Sequence, residues 1–506
     1  MKILKWLFKR TTIMILLAVV EIVVMFMALN WFGTQTAWVG ALLRVLSLVL
    51  VLAINKNSRH LSSDMMWIFL IILLPVVGTA LYLLLGANLI SSRTYRGIVR
   101  STADAKRYYR QDPEVLEEMC GKMPAMLGQF RYISENAGFP FYRNTGFDYY
   151  GLGEEGYPAI LEALRGAREF IFLEYFIIEE GKMWNGILDI LEEKARAGLD
   201  VRVIYDDMGS IGTLPYAYAR ELEKRGIRCL PFNRINPLIG IIMNHRDHRK
   251  IMVVDGQVAF SGGINLADEY INEITKYGHW KDNVIRVTGE AVWSYTVMFL
   301  THWNALRPED ADFGVFRRTA LPGEADGYVA AYGETPLDLE NTAQNIYVNI
   351  LNQAVRYCYI ITPYLIIDTE LENALILAAA RGVDVRILTP GIPDKKLVWR
   401  ITRSYYRQLI EGGVRIFEYT PGFVHAKVFV ADDRIATVGT VNLDYRSLYL
   451  HFENGTCLCD SEKVMDIRRD WEQAAGLSKE ITKKDAGYHP LSEFVLSVLR
   501  VFAPLM

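Results

Sequence analysis

The sequence predicts an α/β protein with two similar, duplicated domains behind an N-terminal transmembrane helical region. Three observations lead to this prediction. Long apolar runs fill the first 90 residues, and the rest of the chain alternates between strand-like and helix-like patterns. A set of His, Lys, Asp and Asn residues occurs twice, and each member of the second set lies 177 residues after its counterpart.

Three apolar segments near the N-terminus are candidates for membrane spans: 12–32, 37–54 and 65–86. Residues 65–86 carry no charged side chain and are about long enough to cross a bilayer. A hairpin buried within the protein is the alternative for residues 12–54. We therefore predict a transmembrane anchor of two or three spans over residues 1–90, followed by a helical connector over 91–135.

The first α/β domain is predicted over residues 136–320 and the second over 321–506. In the first, "REFIFLEYFII" (168–178) is typical of a buried strand, 184–199 of an amphipathic helix, and 200–207 of another strand. The second domain repeats this order from "RYCYIITPYLII" onward and ends in the amphipathic segment "LSEFVLSVLRVFAPLM". Strands that alternate with helices of this length predict parallel βαβ units.

The composition excludes several classes of function. A net charge of −3 provides no basic surface, so we predict no nucleic-acid partner. The five cysteines are scattered, and they form neither a disulfide framework nor a paired zinc motif. Hydrophobic residues make up 51% of the chain, which fits a protein that lies partly in lipid.

In each copy of the repeated set, one residue separates His from Lys: His248 and Lys250 in the first, His425 and Lys427 in the second. Side chains with this spacing share one face of a strand. A glycine-rich turn and an amide donor follow in each copy, at Asn265 and Asn442. Two copies that face each other would enclose a phosphate group.

Such a site can act on a phosphodiester without a metal ion. Two lysines can offset the charge on the phosphoryl oxygens. One imidazole can attack phosphorus, while the other protonates the leaving alkoxide and then deprotonates the incoming alcohol. The attacking imidazole must be held in the right tautomer through its other nitrogen. Carboxylates in matching downstream places are predicted to do this, Asp282 in "HWKDN" and Glu453 in "HFENG".

A metal site at His245 and His248 is a weaker alternative. The two are spaced His-x-x-His, but no cysteine or carboxylate ligand set lies at a fitting distance along the chain. We therefore predict no metal and no cofactor. The remaining histidines are predicted to be packing or surface residues: His279, His302, His451 and His489.

With these residues the chain resembles the phospholipase D superfamily. The signature of that superfamily is His-x-Lys-x4-Asp followed, six residues later, by Gly-(Gly/Ser/Thr)-x-Asn, and both copies match it. Within it, the chain is similar to the bacterial cardiolipin synthase family over nearly its whole length. This similarity lies in the N-terminus ending "YLLLG", in "HRKIMVVDGQVAFSGGIN" followed by "DEY", in "GTVNLDYRSLYLHFE", and in the terminal "FAPLM".

The resemblance implies two phospholipase D-like domains and a catalytic motif made of His248, Lys250, Asp255, His425, Lys427 and Asp432. In this motif the histidines are the nucleophile and the acid/base, and His248 is the favoured nucleophile. Lysines and asparagines bind phosphate, Asp282 and Glu453 orient the imidazoles, and Asp255 and Asp432 are structural.

The implied reaction transfers a phosphatidyl group from one phosphatidylglycerol to another, releases glycerol and proceeds through a phosphohistidine. The implied partners are phosphatidylglycerol and membrane lipids, and the implied location is the bacterial cell membrane, as a multi-pass protein. The alternatives are a hydrolytic phospholipase D and a phosphatidyltransferase with another acceptor alcohol. A nuclease of the same superfamily is disfavoured by the net negative charge of the chain and by the predicted membrane spans. In a membrane-anchored lipid-binding scaffold without enzyme activity, the motif histidines would not be needed for function.

Overall fold

The structure is a computed structural model that describes residues 37–56, 61–83, 93–234, 245–318, 325–338, 340–487 and 490–505. Its N-terminal part contains three helices: Ala37–Lys56, Leu61–Leu73 and Pro75–Leu81. They pack around a small apolar cluster of Ile54, Met66, Trp67 and Ile71.

These helices coincide with the predicted spans only in part. The candidate span 12–32 lies outside the described residues. Residues 37–54 fall within the first helix. Residues 65–81 of the candidate span 65–86 cover most of the next two helices, which separate at Leu74 because Pro75 cannot continue the helical hydrogen bonding, and residues 84–86 lie outside the described residues. In the part of the chain that the structure describes, no helix combines the length and hydropathy needed to cross a membrane. The transmembrane anchor therefore stays a prediction.

Helices also occupy much of the segment predicted as a connector: Arg93–Ala105, Pro113–Lys122 and Leu127–Arg131. Asp112 caps the second of these helices by accepting a hydrogen bond from the N–H of Glu114 at 2.9 Å. The first packs against helix Val292–Leu306, and the Ser101 hydroxyl donates to the carbonyl of Thr301 at 2.8 Å. The first helix of the connector is thus docked on the first α/β domain, whereas Met119 and Phe130 of the other two helices belong to a hydrophobic cluster of the second domain.

The first α/β domain contains a seven-stranded sheet in the order β1-β8-β6-β5-β2-β3-β4. Its strands, with the short β7, are β1 Thr145–Tyr150, β2 Phe170–Tyr175, β3 Asp200–Asp206, β4 Arg228–Phe232, β5 Lys250–Val254, β6 Val258–Gly262, β7 His279–Lys281 and β8 Val284–Gly289. Its helices are Gly153–Gly166, Lys182–Arg196, Tyr218–Lys224 and Val292–Leu306. The helix predicted over 184–199 is present, with its apolar face buried against the sheet.

The second domain contains an eight-stranded sheet in the order β19-β13-β12-β10-β15-β16-β18-β9. The strands are β9 Tyr328–Glu334, β10 Tyr357–Ile361, β11 Leu365–Ile366, β12 Asp384–Pro390, β13 Arg415–Tyr419, β14 Gly422–Val424, β15 Val428–Ala431, β16 Ile435–Gly439, β17 Leu443–Asp444, β18 Glu453–Cys459 and β19 Ser478–Ile481. The helices are Thr342–Gln353, Thr369–Ala380, Lys396–Ser404, Tyr406–Glu411, Tyr445–Tyr449, Val464–Gly476 and Pro490–Val501.

The two sheets are mixed rather than wholly parallel. Strands β2, β3 and β4 run parallel, as do β10, β12 and β13, which confirms the predicted βαβ pattern for these strands. The strands that follow the repeated motifs form the antiparallel hairpins β5–β6 and β15–β16. The prediction of parallel units does not cover these pairs, and a turn as short as 255–257 can join only antiparallel neighbours.

One of the hydrophobic clusters is shared between the two domains. Apolar residues of β5, β8, β15 and β16 belong to a single cluster with helix Val292–Leu306, which is buried on almost all sides. Two short pairings also cross the interface: β14 runs parallel to β7, and Asp247 pairs with Phe452. Both pairings lie directly beside the repeated motifs, so the interface is where the two copies meet.

Candidate active site

His248 lies just before β5 and is held by the second domain. Its backbone N–H donates to the carbonyl of Phe452 at 2.8 Å. Its Nδ1 lies 2.9 and 2.8 Å from the two carboxylate oxygens of Glu453, at the start of β18. The imidazole therefore takes its orientation from a residue more than 200 positions away.

His425 lies just before β15 and is held in the same way by the first domain. Its backbone N–H donates to the carbonyl of Lys281 at 2.7 Å, and its Nδ1 lies 2.7 Å from Oδ2 of Asp282. Each predicted orienting carboxylate thus reaches an imidazole, and the pairs cross between domains. The interdomain pairings described above produce this crossing, because they place each carboxylate next to the opposite motif.

Lys250 and Lys427 are buried, with 1% and 3% of their surface exposed. Each ammonium group donates to the backbone carbonyl of its own motif histidine, Lys250 at 2.8 Å from the His248 oxygen. Lys427 Nζ also lies 3.0 Å from His425 Nδ1. This nitrogen cannot both donate to Asp282 and accept from Lys427. The shorter, charge-assisted contact with the carboxylate places the proton on Nδ1.

Burial lowers the pKa of all four basic groups. It lowers the pKa of Lys250 to about 7 and that of Lys427 to about 8, and each ammonium opposes the charge of its neighbours. Burial and the adjacent Lys427 lower the pKa of His425 to about 4. The pKa of His248 lies well below its ordinary value for the same reasons. Both imidazoles are therefore neutral bases near pH 7, where the lysines begin to lose their charge.

The two orienting carboxylates differ in charge state. Burial opposes ionisation of Asp282, but His425 and Lys427 outweigh it and hold the pKa of Asp282 below its ordinary value. Burial raises the pKa of Glu453 well above its ordinary value, and Lys250 offsets this only in part. The hydroxyl of Thr440 also donates to Glu453. Asp282 is thus ionised, whereas burial favours the protonated form of Glu453.

The two predicted amide ligands are also buried beside the motifs. Asn265 accepts a hydrogen bond from the N–H of Ile177 at 3.0 Å and donates to the hydroxyl of Tyr270 at 2.8 Å. The Tyr270 ring lies 5.5 Å from that of His425. Oδ1 of Asn442 is buried without a hydrogen-bond partner among the described residues. Their role as phosphate ligands stays a prediction.

The two motif aspartates do not orient the imidazoles. Asp255 follows β5 and accepts hydrogen bonds from three consecutive backbone N–H groups, at Arg168, Glu169 and Phe170. Asp432 accepts from the equivalent three, at Val355, Arg356 and Tyr357. Both aspartates have left-handed φ values, 52° and 55°. Each fastens the turn of the motif hairpin to the first residues of a neighbouring strand, which is a structural role.

A buried ion pair anchors the segment that leads into the first motif. The Arg246 guanidinium donates to Oδ1 of Asp206 at 2.7 Å, and Oδ2 of the same aspartate accepts the N–H of Asp247 at 3.0 Å. Asp206 is fully buried at the end of β3. Sequence reasoning missed this anchor, although the paired aspartates that end an apolar strand in "VIYDD" were a visible signal.

His451, predicted to be a packing or surface residue, is buried beside His248. Its ring lies 5.7 Å from the ring of His248, and its Nδ1 lies 3.7 Å from Oε1 of Glu453. It is 8% exposed, and neither ring nitrogen has a hydrogen-bond partner among the described residues. The sequence offered one signal, since His451 stands two positions before a predicted orienting carboxylate.

His302 is also buried in a polar cluster. Its Nδ1 lies 2.7 Å from Oε1 of Glu174 and 3.6 Å from Oδ2 of Asp247. Burial raises the pKa of Glu174 to about 7. Glu174 interrupts the apolar run "FIFLEYFII", which was the available signal for this cluster.

Two groups of described residues have ligand atoms close enough to hold a metal ion: His248 with His451 and Glu453, and Glu174 with Asp247 and His302. His245, the ligand considered from sequence, belongs to neither group, and its Nδ1 lies 3.1 Å from the carbonyl of Leu450. His279 is partly exposed next to Tyr419, in line with its prediction, and His489 lies outside the described residues.

The arrangement fits phosphoryl transfer between two oxygens. Two neutral imidazoles supply a nucleophile and a base, and each is held at Nδ1 by a carboxyl group, which leaves Nε2 as the nitrogen that can contact a substrate. The two buried ammonium groups each act on the imidazole of the opposite motif. Lys427 lowers the pKa of His248, and Lys250 lowers the pKa of His425. Cations at these positions stabilise charge on phosphoryl oxygens in a water-poor site.

Comparisons with known proteins agree with this geometry. The family described as "Cardiolipin synthase, PLD-like domain" matches residues 160–303 and 347–474, which contain both motifs. The family described as "Phospholipase_D-nuclease N-terminal" matches residues 37–86.

Individual relatives cover nearly the whole chain. An uncharacterized protein of Streptococcus mutans is 42% identical over 90% of this chain and 99% of its own length. A cardiolipin synthase of Halalkalibacterium halodurans is 32% identical over 94% of this chain and 95% of its own. The crystal structure of a phosphatidylserine synthase from Haemophilus influenzae superposes with a TM-score of 0.56 and 17% identity, covering 74% of this chain and 97% of that one. It supports the fold alone.

Proposed function

The chain belongs to the cardiolipin synthase family with PLD-like domains and is a phosphatidyltransferase, and we propose that it uses phosphatidylglycerol as donor and acceptor. In this proposal, a phosphatidyl group passes from one phosphatidylglycerol to a hydroxyl of a second. Glycerol is released, and the product is cardiolipin. The donor, the acceptor and the covalent intermediate are the proposed parts.

The observation that carries the proposal is the crossed pairing of the two motifs. His248 is held by Glu453 of the other domain, and His425 by Asp282 of the other domain. Each motif is therefore incomplete without the opposite half of the chain. The pairing builds one site with two imidazoles, which a two-step transfer through a covalent intermediate requires.

In the first step, one imidazole attacks phosphorus through Nε2. A P–N bond forms, the P–O bond to glycerol breaks, and the second imidazole gives a proton to the leaving oxygen. The resemblance assigns the attack to His248 and the proton transfer to His425. Both imidazoles are neutral in the empty site, so the anionic phosphodiester must raise the pKa of the acid as it binds.

In the second step, the hydroxyl of the acceptor lipid gives its proton to His425. Its oxygen forms a new P–O bond as the P–N bond to His248 breaks. Lys250 and Lys427 offset phosphoryl charge in both steps, and Asn265 and Asn442 contribute amide contacts. No metal ion or cofactor takes part in this proposed sequence.

We also propose that the enzyme works at the bacterial cell membrane. Helices Ala37–Lys56 and Leu61–Leu73 expose large apolar side chains, among them Leu42, Leu48, Leu52, Phe69 and Ile72. The C-terminal helix Pro490–Val501 exposes Phe494 and Val498. Extended apolar surfaces of this kind support contact with lipid rather than water. A multi-pass topology with the predicted spans is the finer part of this proposal.

The test is product analysis with the purified full-length protein in phosphatidylglycerol vesicles. We expect cardiolipin and glycerol in equal amounts, with and without excess chelator, and no product from the double variant His248→Ala, His425→Ala. Phosphatidic acid as the sole lipid product would identify a hydrolase. A lipid with a different added alcohol, formed in preference to cardiolipin, would identify another acceptor, and a strict metal requirement would contradict the lysine-based site.

A further inference from the structure

Two aromatic rings flank the imidazole pair at equivalent positions of the two domains. Trp280 stands two residues before Asp282, and His451 stands two residues before Glu453. The centroid of the Trp280 ring lies 5.6 Å from that of His425, and the centroid of the His451 ring lies 5.7 Å from that of His248. Each ring therefore sits beside the imidazole that its neighbouring carboxylate holds.

Both rings are fixed by their backbones. Trp280 belongs to β7, and its N–H and carbonyl both bond to the side chain of Asn272, at 2.8 and 2.9 Å. The N–H of His451 donates to the carbonyl of Arg446 at 2.9 Å. These contacts hold the backbone that carries each ring, and the indole also packs against the rings of Tyr270 and Phe423, at centroid distances of 4.8 and 4.9 Å.

Both rings also carry buried nitrogen atoms without hydrogen-bond partners among the described residues: Nε1 of Trp280, and Nδ1 and Nε2 of His451. Trp280 is 6% exposed and His451 is 8% exposed, so bulk water does not satisfy these atoms freely. An unpaired buried donor costs about 1–3 kcal/mol. Unpaired buried groups in a folded protein call for a specific explanation. Because both rings lie beside the imidazole pair, a hydrogen bond to a bound ligand is one such explanation.

We propose that Trp280 and His451 are two further substrate-contacting residues, each of which hydrogen-bonds through a ring nitrogen to an oxygen of the phosphodiester substrate. The indole of Trp280 can only donate, so its partner is a phosphoryl or ester oxygen. The imidazole of His451 can donate or accept, so it can also bind a hydroxyl group. This inference rests on the proposed phosphatidyl transfer and adds to it two neutral contacts beside the lysines.

The two contacts are unequal. Tyr270, Phe423 and the indole surround His425 with aromatic rings. The His248 side instead carries a third imidazole, whose pKa is lowered by burial and then by Arg446. His451 is therefore a neutral polar group in a region of positive charge, which suits an oxygen-rich, anionic head group.

The test measures the affinity of the full-length protein for orthovanadate, which mimics a phosphoryl group in transfer, together with kcat/KM for phosphatidylglycerol. Trp280→Phe removes the N–H and keeps an aromatic ring, and His451→Phe removes both nitrogens. We expect each to weaken vanadate binding by about tenfold, the loss of one hydrogen bond to a charged group. His451→Gln, which retains an N–H, should recover part of this loss.

The matched control is Tyr277→Phe, which removes a hydroxyl from the same aromatic cluster, where Tyr277 packs on Trp280 and Phe423 at centroid distances of 6.3 and 6.2 Å. Its vanadate affinity should equal that of the unaltered protein. Unchanged affinity in Trp280→Phe or in His451→Phe would overturn the assignment of that residue. Because vanadate reports any phosphoryl site, this comparison stands even if product analysis identifies a lipid donor other than phosphatidylglycerol.

Discussion

The His248 side and the His425 side of the site contain the same motif, yet their imidazoles lie in different surroundings. Asp282 is ionised and accepts from His425, whereas burial favours a protonated Glu453 beside His248. The Trp280 ring lies beside His425, and the His451 ring lies beside His248. Gene duplication supplied two equivalent halves, and the residues around them have become specialised.

This difference bears on the division of labour between the imidazoles. An ionised carboxylate can only accept, so His425 carries its proton on Nδ1 and has a free lone pair on Nε2. Burial raises the pKa of Glu453, so this carboxyl group can keep its proton and donate it to Nδ1 of His248, which leaves the proton of that imidazole on Nε2, as an acid requires. Local electrostatics thus assign the attack to His425, opposite to the order that the resemblance implies. The two arguments are separable by experiment.

The largest expected effect is the loss of turnover when either imidazole is removed. If His248 attacks, as the resemblance implies, His425→Ala given a phosphatidyl donor with a good leaving group should accumulate a covalent lipid adduct on His248. The attacking imidazole remains, and the base that activates the acceptor is gone. His248→Ala should form no adduct. Mass spectrometry of protease digests locates the modified residue.

The reverse pattern, an adduct on His425 in His248→Ala and none in His425→Ala, would show that the charge state of the carboxylates decides the order. The double variant is the control for chemical labelling elsewhere. Absence of any adduct in all variants under conditions where the unaltered protein turns over would contradict a phosphohistidine.

The second effect concerns the lysines. Lys250→Met and Lys427→Met should each lower kcat/KM by about 10²–10³-fold, as the removal of one oxyanion donor does. In the unaltered protein, kcat/KM should fall as pH rises through about 7 to 8, because the charged ammonium is the active form and the pKa values are about 7 and 8. Steady-state rates from pH 5 to 10 on a neutral detergent surface measure this.

The variants sharpen the comparison between the two sides. Lys250→Met retains Lys427, whose pKa is about 8. Lys427→Met retains Lys250, whose pKa is about 7. The alkaline limb of the first variant should therefore lie at higher pH than that of the second. The limb of Lys427→Met should also move upward, since Lys427 lowers the pKa of Lys250. Coincident limbs in the two variants would contradict unequal sites.

The motif residues could be predicted because their constraints are local. His-x-Lys places both side chains together, and a constant offset of 177 residues between two copies is readily visible in one sequence. The crossed pairing of Glu453 with His248 could not be predicted. Which carboxylate reaches which imidazole depends on β7 pairing with β14 and on Asp247 pairing with Phe452, and these contacts join distant parts of the chain.

The fold shows the same limit. Alternating patterns predicted the parallel strands β2, β3 and β4, whose βαβ connections are close in sequence. The direction of the hairpin strands β5–β6 and β15–β16 was not predicted, because apolar runs such as "KIMVV" have no period that distinguishes the two directions when both faces are buried. The position of His451 beside His248 was not predicted, because the sequence around a single histidine does not indicate which residues lie next to it in space.

The smallest expected effect compares the two motif aspartates, and it tests whether the halves remain equal away from the chemistry. Asp255→Asn and Asp432→Asn each replace a carboxylate that accepts three backbone N–H groups. The amide offers one accepting oxygen in place of two, so each variant should lose about 1–3 kcal/mol of unfolding free energy. Asparagine tolerates the left-handed φ of both positions, so backbone strain does not add to this loss.

Urea denaturation measures the loss of unfolding free energy, and kcat/KM per folded molecule should stay within about twofold because neither carboxylate contacts an imidazole. A large drop in kcat/KM with normal stability, in one variant but not the other, would show that the specialisation of the two halves extends to the motif aspartates.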